Sequence, residues 1–303
     1  MARPGDLNAD PDADSLSPGY VAPAPGLVLT DVEYGPRPMQ RADVYRPVAP
    51  RASSPVLIFL HAGGWTGGTR DDVPQLVLRQ GSRMGAVVVA ADYTLGTSAD
   101  PATAFPASSR DVDRVVRWAK REAPGWGNAP RVVVIGASAG GHLALLAALA
   151  PGRFVDSDLP PELQSVSPAL AGVVSLAGPV DLAAMYAIEG WRPTVLEPYL
   201  GCAPCSEEQV AAASPLQYLG SAPVPPAYLA YGKWDWLIPP DVHGLPTAIQ
   251  LMLARDDQLR NPVDRAIWYE LVDDDHDIDG AHLNVRYLEI WLDRVADRFW
   301  PGA

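Results

Sequence analysis

Gly136-Ala137-Ser138-Ala139-Gly140-Gly141 stands between an apolar run at 131–135 and an apolar helical pattern at 143–149. This is G-x-S-x-G in a strand-turn-helix setting, the arrangement that lifts a serine hydroxyl above the C-terminal edge of a sheet. A serine in such a turn adopts strained backbone angles, and the glycines around it leave no Cβ to collide with the adjoining strand or helix. The stretch lacks G-x-G-x-x-G and comes at the fifth strand of the pattern, which excludes a dinucleotide phosphate loop. It predicts a nucleophilic Ser138 and an α/β fold.

Outward from this turn, short β-branched runs alternate with helical patterns. Strands are expected near 27–34, 42–46, 56–60, 86–91, 131–135, 171–176, 227–231 and 266–272, with helices near 73–84, 108–122 and 281–299. Val112, Val115, Val116 and Ala119 fall at i, i+3, i+4 and i+7, one apolar helix face. The uninterrupted Val87-Val88-Val89-Ala90-Ala91 suits a parallel sheet covered on both faces, because neither face needs polar alternation. The expectation is a mostly parallel, doubly wound sheet of about eight strands. Residues 1–26 are rich in Pro, Ala, Gly and Asp and read as a mobile tail, leaving 27–303 as one domain. Within it, 179–226 is long, Pro-rich and weakly periodic between two strands, and is the candidate cap.

His61-Ala62-Gly63-Gly64-Trp65 directly follows the strand at 56–60. At that place glycines let backbone N–H groups turn toward a developing oxyanion, and Gly63, Gly64 and Ala139 are the expected donors. His61, at the strand end, reads as a brace for the glycine loop. Trp65 reads either as a substrate-binding wall or as a core aromatic. In the candidate cap, Trp191 and Tyr199, with Tyr186 and Leu200, are the expected substrate-binding surfaces; their other reading is packing that seals the cap onto the sheet.

A carboxylate, Asp235, follows the strand at 227–231 within Gly232-Lys233-Trp234-Asp235-Trp236-Leu237-Ile238-Pro239. There it can accept Nδ1–H from a histidine in the next βα loop and fix its tautomer. Asp181 and Asp241 are the rivals. Two histidines, His276 and His282, follow the last strand; His276 is four residues past Val272, and His282 falls at the start of the last helix. His142 and His243 read as packing or surface residues. The order Ser138, Asp235, His276 is that of α/β-hydrolases.

With these motifs in hand, the chain resembles the HGGG-type carboxylesterases, the hormone-sensitive-lipase-like enzymes, and especially the BD-FAE or acetyl-xylan-esterase-like hydrolases. The resemblance also rests on Ala91-Asp92-Tyr93, Phe105-Pro106-Ala107, Gly178-Pro179-Val180-Asp181-Leu182, Ala213-Ser214-Pro215 and Gly232 to Pro239. It implies an α/β-hydrolase fold, Asp235 in the family's G-x-x-D-x-x-x-P frame, and His276 at the usual spacing from Glu270. Ala62 departs from the family's usual glycine. Arylformamidases look similar too.

The implied chemistry is cleavage of a small ester through an acyl-enzyme on Ser138, with no metal or organic cofactor. An arylformamidase or amidase would use the same triad on an amide. Acyl transfer to an acceptor other than water and a non-catalytic ligand-binding protein on this fold are the remaining alternatives; such binding proteins generally lose a triad residue. The 23 Lys plus Arg against 36 Asp plus Glu give a net charge of -13, which disfavours nucleic acid and anionic membrane surfaces as partners. No apolar run approaches the roughly 18–20 residues that span a bilayer, and no apolar signal segment opens the chain, so a soluble, cytoplasmic protein is expected. Cys202 and Cys205 lack further ligands for zinc and are expected as free loop thiols.

Overall fold

The computed structural model describes residues 27–188, 190, 192–255, 266–276 and 285–297. The expected tail at 1–26 lies outside them. Eight strands form one sheet in the order β1-β2-β4-β3-β5-β6-β7-β8. They are β1 (Leu27–Glu33), β2 (Arg41–Arg46), β3 (Val56–Leu60), β4 (Val88–Ala91), β5 (Val132–Ala137), β6 (Gly172–Leu176), β7 (Ala227–Gly232) and β8 (Ile267–Val272). The β1–β2 and β2–β4 pairs are antiparallel, and the other pairs are parallel. The described α-helices are α1 (Gln75–Met84), α2 (Ala107–Trp126), α3 (Ala139–Leu149), α4 (Pro161–Gln164), α5 (Leu182–Tyr186), α6 (Glu197–Leu200), α7 (Glu207–Ala212), α8 (Leu245–Ala254) and α9 (Val285–Asp297).

Every residue of β3 and of β7 is buried, as continuous apolar runs require. Alternate side chains feed two cores. Ile58, Leu60, Val132 and Val134 meet Val112 and Val116 of α2 and Leu143 and Leu146 of α3. Leu57, Phe59, Val133 and Ile135 point the other way, toward Val77 and Met84 of α1 and Leu288, Trp291 and Leu292 of α9. Helices on both faces make this a doubly wound α/β-hydrolase sheet.

The chain leaves β3 for β4 on one side and returns for β5 on the other. The loops that follow β3 and β5 therefore diverge from a switch point, where an open α/β sheet forms its crevice. Both sequence motifs lie in those loops.

Between β6 and β7, short helices bury Leu182, Met185, Leu196, Tyr199, Leu200 and Val210 in the core beside α3. The cysteines differ from expectation. Cys202 and Cys205 form a disulfide, because the turn after α6 brings their Cα atoms to 4.9 Å, within bridging range. Among the described residues no helix is long and apolar enough to cross a membrane.

Candidate active site

β5 ends at Ala137 and α3 begins at Ala139, so Ser138 occupies the turn between them at φ 50, ψ −116. That backbone is sparsely populated for a non-glycine residue and persists only where its surroundings over-determine it. Here the Ser138 amide donates to the Leu176 carbonyl at 2.7 Å, and the Ser138 carbonyl accepts the His142 amide at 3.0 Å. Gly140 lets α3 pass directly over the end of β3, where a Cβ would strike the Leu60 carbonyl.

β7 and β8 deliver the other two side chains together. Their hydrogen-bonded ladder runs past the strand ends: Lys233 N–H donates to the Val272 carbonyl at 2.8 Å and Trp234 N–H to the Asp274 carbonyl at 2.9 Å. Gly232 makes this approach possible, since a Cβ there would collide with the Asp275 carbonyl. The buried Asp235 carboxylate accepts the amides of Leu237 and Ile238 on Oδ1, at 2.9 and 2.8 Å, and His276 Nδ1–H on Oδ2, at 2.8 Å. His276 Nε2 lies 3.0 Å from Ser138 Oγ. A carboxylate accepts only, so Nδ1 carries a proton, and in the neutral ring the Nε2 lone pair faces the serine.

The structure brings Ser138, Asp235 and His276 together and leaves the rival carboxylates apart. Asp181 caps α5, its side chain accepting the Ala183 and Ala184 amides. Asp241 is exposed in the turn Pro240–Gly244. His282 lies outside the described residues.

After β3 the backbone takes positive φ at three successive residues, Gly63 (117), Gly64 (59) and Trp65 (61), and again at Gly68 (89). Ala62 is not among these positions, so the side chain there is tolerated. Neither the Gly63 nor the Gly64 amide donates to a protein acceptor among the described residues. The Ala139 amide, first in α3, has no carbonyl of its own helix to bond. His61 braces the loop: its buried ring stacks on Tyr93 at 4.2 Å, its Nδ1–H donates to the Ala62 carbonyl at 2.7 Å, and the Tyr93 hydroxyl holds the His61 carbonyl at 2.8 Å. Burial lowers its pKa.

Over residues 42–243, two thirds of the chain, the sequence matches the BD-FAE family. The chain belongs to the BD-FAE family. This BD-FAE protein is 30% identical over 217 residues to the esterase LipQ of Mycobacterium tuberculosis, which covers 69% of the chain and 49% of LipQ. It spans about half the length of the curated relatives it matches. Its fold superposes on a bifunctional GH43-CE protein of Bacteroides eggerthii with TM-score 0.73 at 19% identity, covering 89% of this chain and 35% of that one. An acetyl ester-xyloside bifunctional hydrolase of Caldicellulosiruptor lactoaceticus gives TM-score 0.66 at 19% identity, covering 90% and 97%.

Trp65 and Tyr199, each read either as a substrate-binding surface or as packing, are packing in this BD-FAE member. Trp65 and Tyr199 are each 1% exposed and stack on one another at 4.6 Å, so both are core aromatics. Their faces are occupied by packing, with His142 edge-on to Trp65 at 5.0 Å. Trp191 lies outside the described residues. Trp234 and Trp236, either side of Asp235, are instead 62% and 71% exposed, and the Trp234 indole donates to Asp273 at 3.0 Å. Two exposed tryptophans flank the expected acid in the sequence, whereas the sequence reading sought substrate contacts in 179–226.

His142 and His243, read as packing or surface residues, are both buried and hold loops. His142 Nδ1 accepts the Trp65 indole N–H at 3.2 Å, and its Nε2–H donates to the Ala213 carbonyl at 2.8 Å. His243 Nδ1 accepts the Val180 amide at 3.3 Å, tying the loop after β7 to the loop after β6. Burial pushes the two imidazoles down to about 3 and about 4.

Proposed function

We propose that this protein is a carboxylic ester hydrolase acting on small acyl esters through an acyl-enzyme on Ser138. The observation that carries the reading is the unbroken path from Ser138 Oγ to His276 Nε2 at 3.0 Å and from His276 Nδ1 to Asp235 at 2.8 Å, with the tautomer that a general base requires. His276 takes the serine proton as Oγ attacks the acyl carbon. The amides of Gly63, Gly64 and Ala139 stabilise the oxyanion as it forms. His276 then returns the proton to the departing alcohol and activates the water that releases the acid. Relatives named esterases support the same reaction class.

The test is turnover of p-nitrophenyl acetate, acetylated sugars and N-formylkynurenine by the purified protein, with Ser138→Ala as control. Ester turnover that vanishes in the variant supports the reading. Turnover confined to the formamide would make the protein an amidase with the same triad, and ester turnover that survives Ser138→Ala would move the nucleophile elsewhere.

A further inference from the structure

We propose that His142 is a positioning residue that locks the oxyanion loop to the helix carrying the nucleophile. This rests on the reading of Ser138 as nucleophile and of Gly63 and Gly64 as oxyanion donors. His142 is one turn beyond Ser138 on α3, and its amide bonds the Ser138 carbonyl at 3.0 Å. Its ring reaches out of that helix to the residue that ends the glycine turn, accepting the Trp65 indole N–H at 3.2 Å.

The direction of that hydrogen bond is forced. An indole N–H only donates, so His142 Nδ1 is unprotonated and the ring proton is on Nε2, where the Ala213 carbonyl accepts it at 2.8 Å. Both ring nitrogens are thus satisfied in one tautomer, inside a site with no exposed surface. Trp65 needs such an anchor. It is a bulky residue at φ 61, a conformation that reverts unless its side chain is held, and it follows directly on Gly64. Its indole is held by two rings, Tyr199 in a stack and His142 edge-on through the Nε1–H bond, while its carbonyl accepts the Gly96 amide at 2.8 Å. Of these, His142 alone belongs to the nucleophile's helix. Acyl transfer requires the attacking oxygen and the oxyanion donors in fixed register, and a misplacement of about 1 Å costs on the order of 10^2-fold in rate. The His142–Trp65 bond is the side-chain link between the two.

The experiment compares His142→Phe, His142→Asn and Trp65→Phe with the wild type on p-nitrophenyl acetate, with active serines counted by fluorophosphonate titration. His142→Phe keeps ring volume and removes the acceptor. Its kcat per titrated serine should fall about 10- to 100-fold with KM changed less than about threefold, and inhibition by an aliphatic trifluoromethyl ketone, which forms the oxyanion, should weaken in parallel. His142→Asn, which restores an acceptor and a donor, should recover much of the loss. Trp65→Phe should lose a similar factor, and combining it with His142→Phe should add little, because both break one bond. Should His142→Phe fail to fold, Trp65→Phe and His142→Asn carry the comparison. Unchanged kcat per titrated serine beside a lowered Tm, or losses that multiply in the double variant, would overturn the proposal. Failure of the underlying reading looks different: Ser138→Ala would then keep its activity whatever His142 does.

Discussion

Asp235 holds the Nδ1–H of His276 at 2.8 Å with the one carboxylate oxygen that is free to do so, its other oxygen being committed to the amides of Leu237 and Ile238. The two amides fix the carboxylate plane, and the extended β7–β8 ladder fixes the distance between the loops. In Asp235→Asn the amide nitrogen would face His276 and donate, favouring the tautomer that cannot accept from Ser138. The expected outcome is a fall in kcat of roughly 10^4-fold with the fold retained. Asp181→Asn and Asp241→Asn should stay within a few-fold of wild type, since the first caps α5 and the second is exposed. Steady-state kinetics on the three variants checks the assignment, and a near-silent Asp235→Asn would reverse it.

Stability should weaken with acid through His142 and His243. Burial holds their imidazoles at about 3 and about 4, below the usual 6.5. Below about pH 6.5 the unfolded chain binds protons that the folded chain refuses, so this stability is complete above that pH and drains as the pH falls toward 4. Each ring contributes a slope of up to about 1.4 kcal/mol per pH unit in that window. Asp111, raised by its own burial, works in the opposite sense, so the wild type must be compared with a variant. Urea unfolding at pH 7, 6 and 5 should show a shallower acid loss for His243→Asn than for wild type; equal slopes would contradict the neutral buried ring.

Tyr199 and Trp236 should separate stability from specificity. Tyr199 is 1% exposed against Trp65 and Phe105, so Tyr199→Ala should cost about 3–5 kcal/mol, as large aromatic truncations in cores do. The order of preference among acyl chain lengths should survive it. Trp236, 71% exposed beside Asp235, should be nearly neutral for stability as alanine, within about 0.5 kcal/mol. Its loss should appear as a higher KM for esters of bulky alcohols. Thermal melts and an ester panel on both variants decide it; the opposite pattern would return specificity to the segment between β6 and β7.

The Cys202–Cys205 bridge closes a very short loop, so its contribution should be modest, about 2 kcal/mol on loop-entropy grounds. Dithiothreitol, or Cys202→Ser with Cys205→Ser, should lower Tm by a few degrees and leave kcat for p-nitrophenyl acetate within a few-fold. Loss of activity on reduction with Tm unchanged would mean that the bridge shapes the site itself.

The central strands were legible because both of their faces are buried, and burial on both faces writes itself as uninterrupted apolar runs such as Val87 to Ala91. The triad candidates were legible because chemistry restricts residue type at three loop positions: Ser138 between glycines, Asp235 after Gly232 and His276 after Val272. Long-range partnership was not. Nothing in the spacing of Trp65 and His142, or of Val180 and His243, tells that an indole or an amide will find an imidazole across the sheet. Tyr199 and Trp65 carry the same composition signal as a pocket lining, and only their burial against each other shows them to be core. Cys202 and Cys205 were misread because ligand counting excludes zinc without saying how close a turn brings two thiols.

If Ser138, activated by His276, is the nucleophile, a fluorophosphonate should bond covalently to that serine alone. Intact-protein mass spectrometry after treatment with a fluorophosphonate tests it most directly. One adduct per chain, mapped to Ser138, is predicted for the wild type, with labelling slowed by roughly 10^3-fold or more in His276→Ala and absent in Ser138→Ala. An adduct on any other residue, or labelling of Ser138 at the wild-type rate without His276, would contradict it.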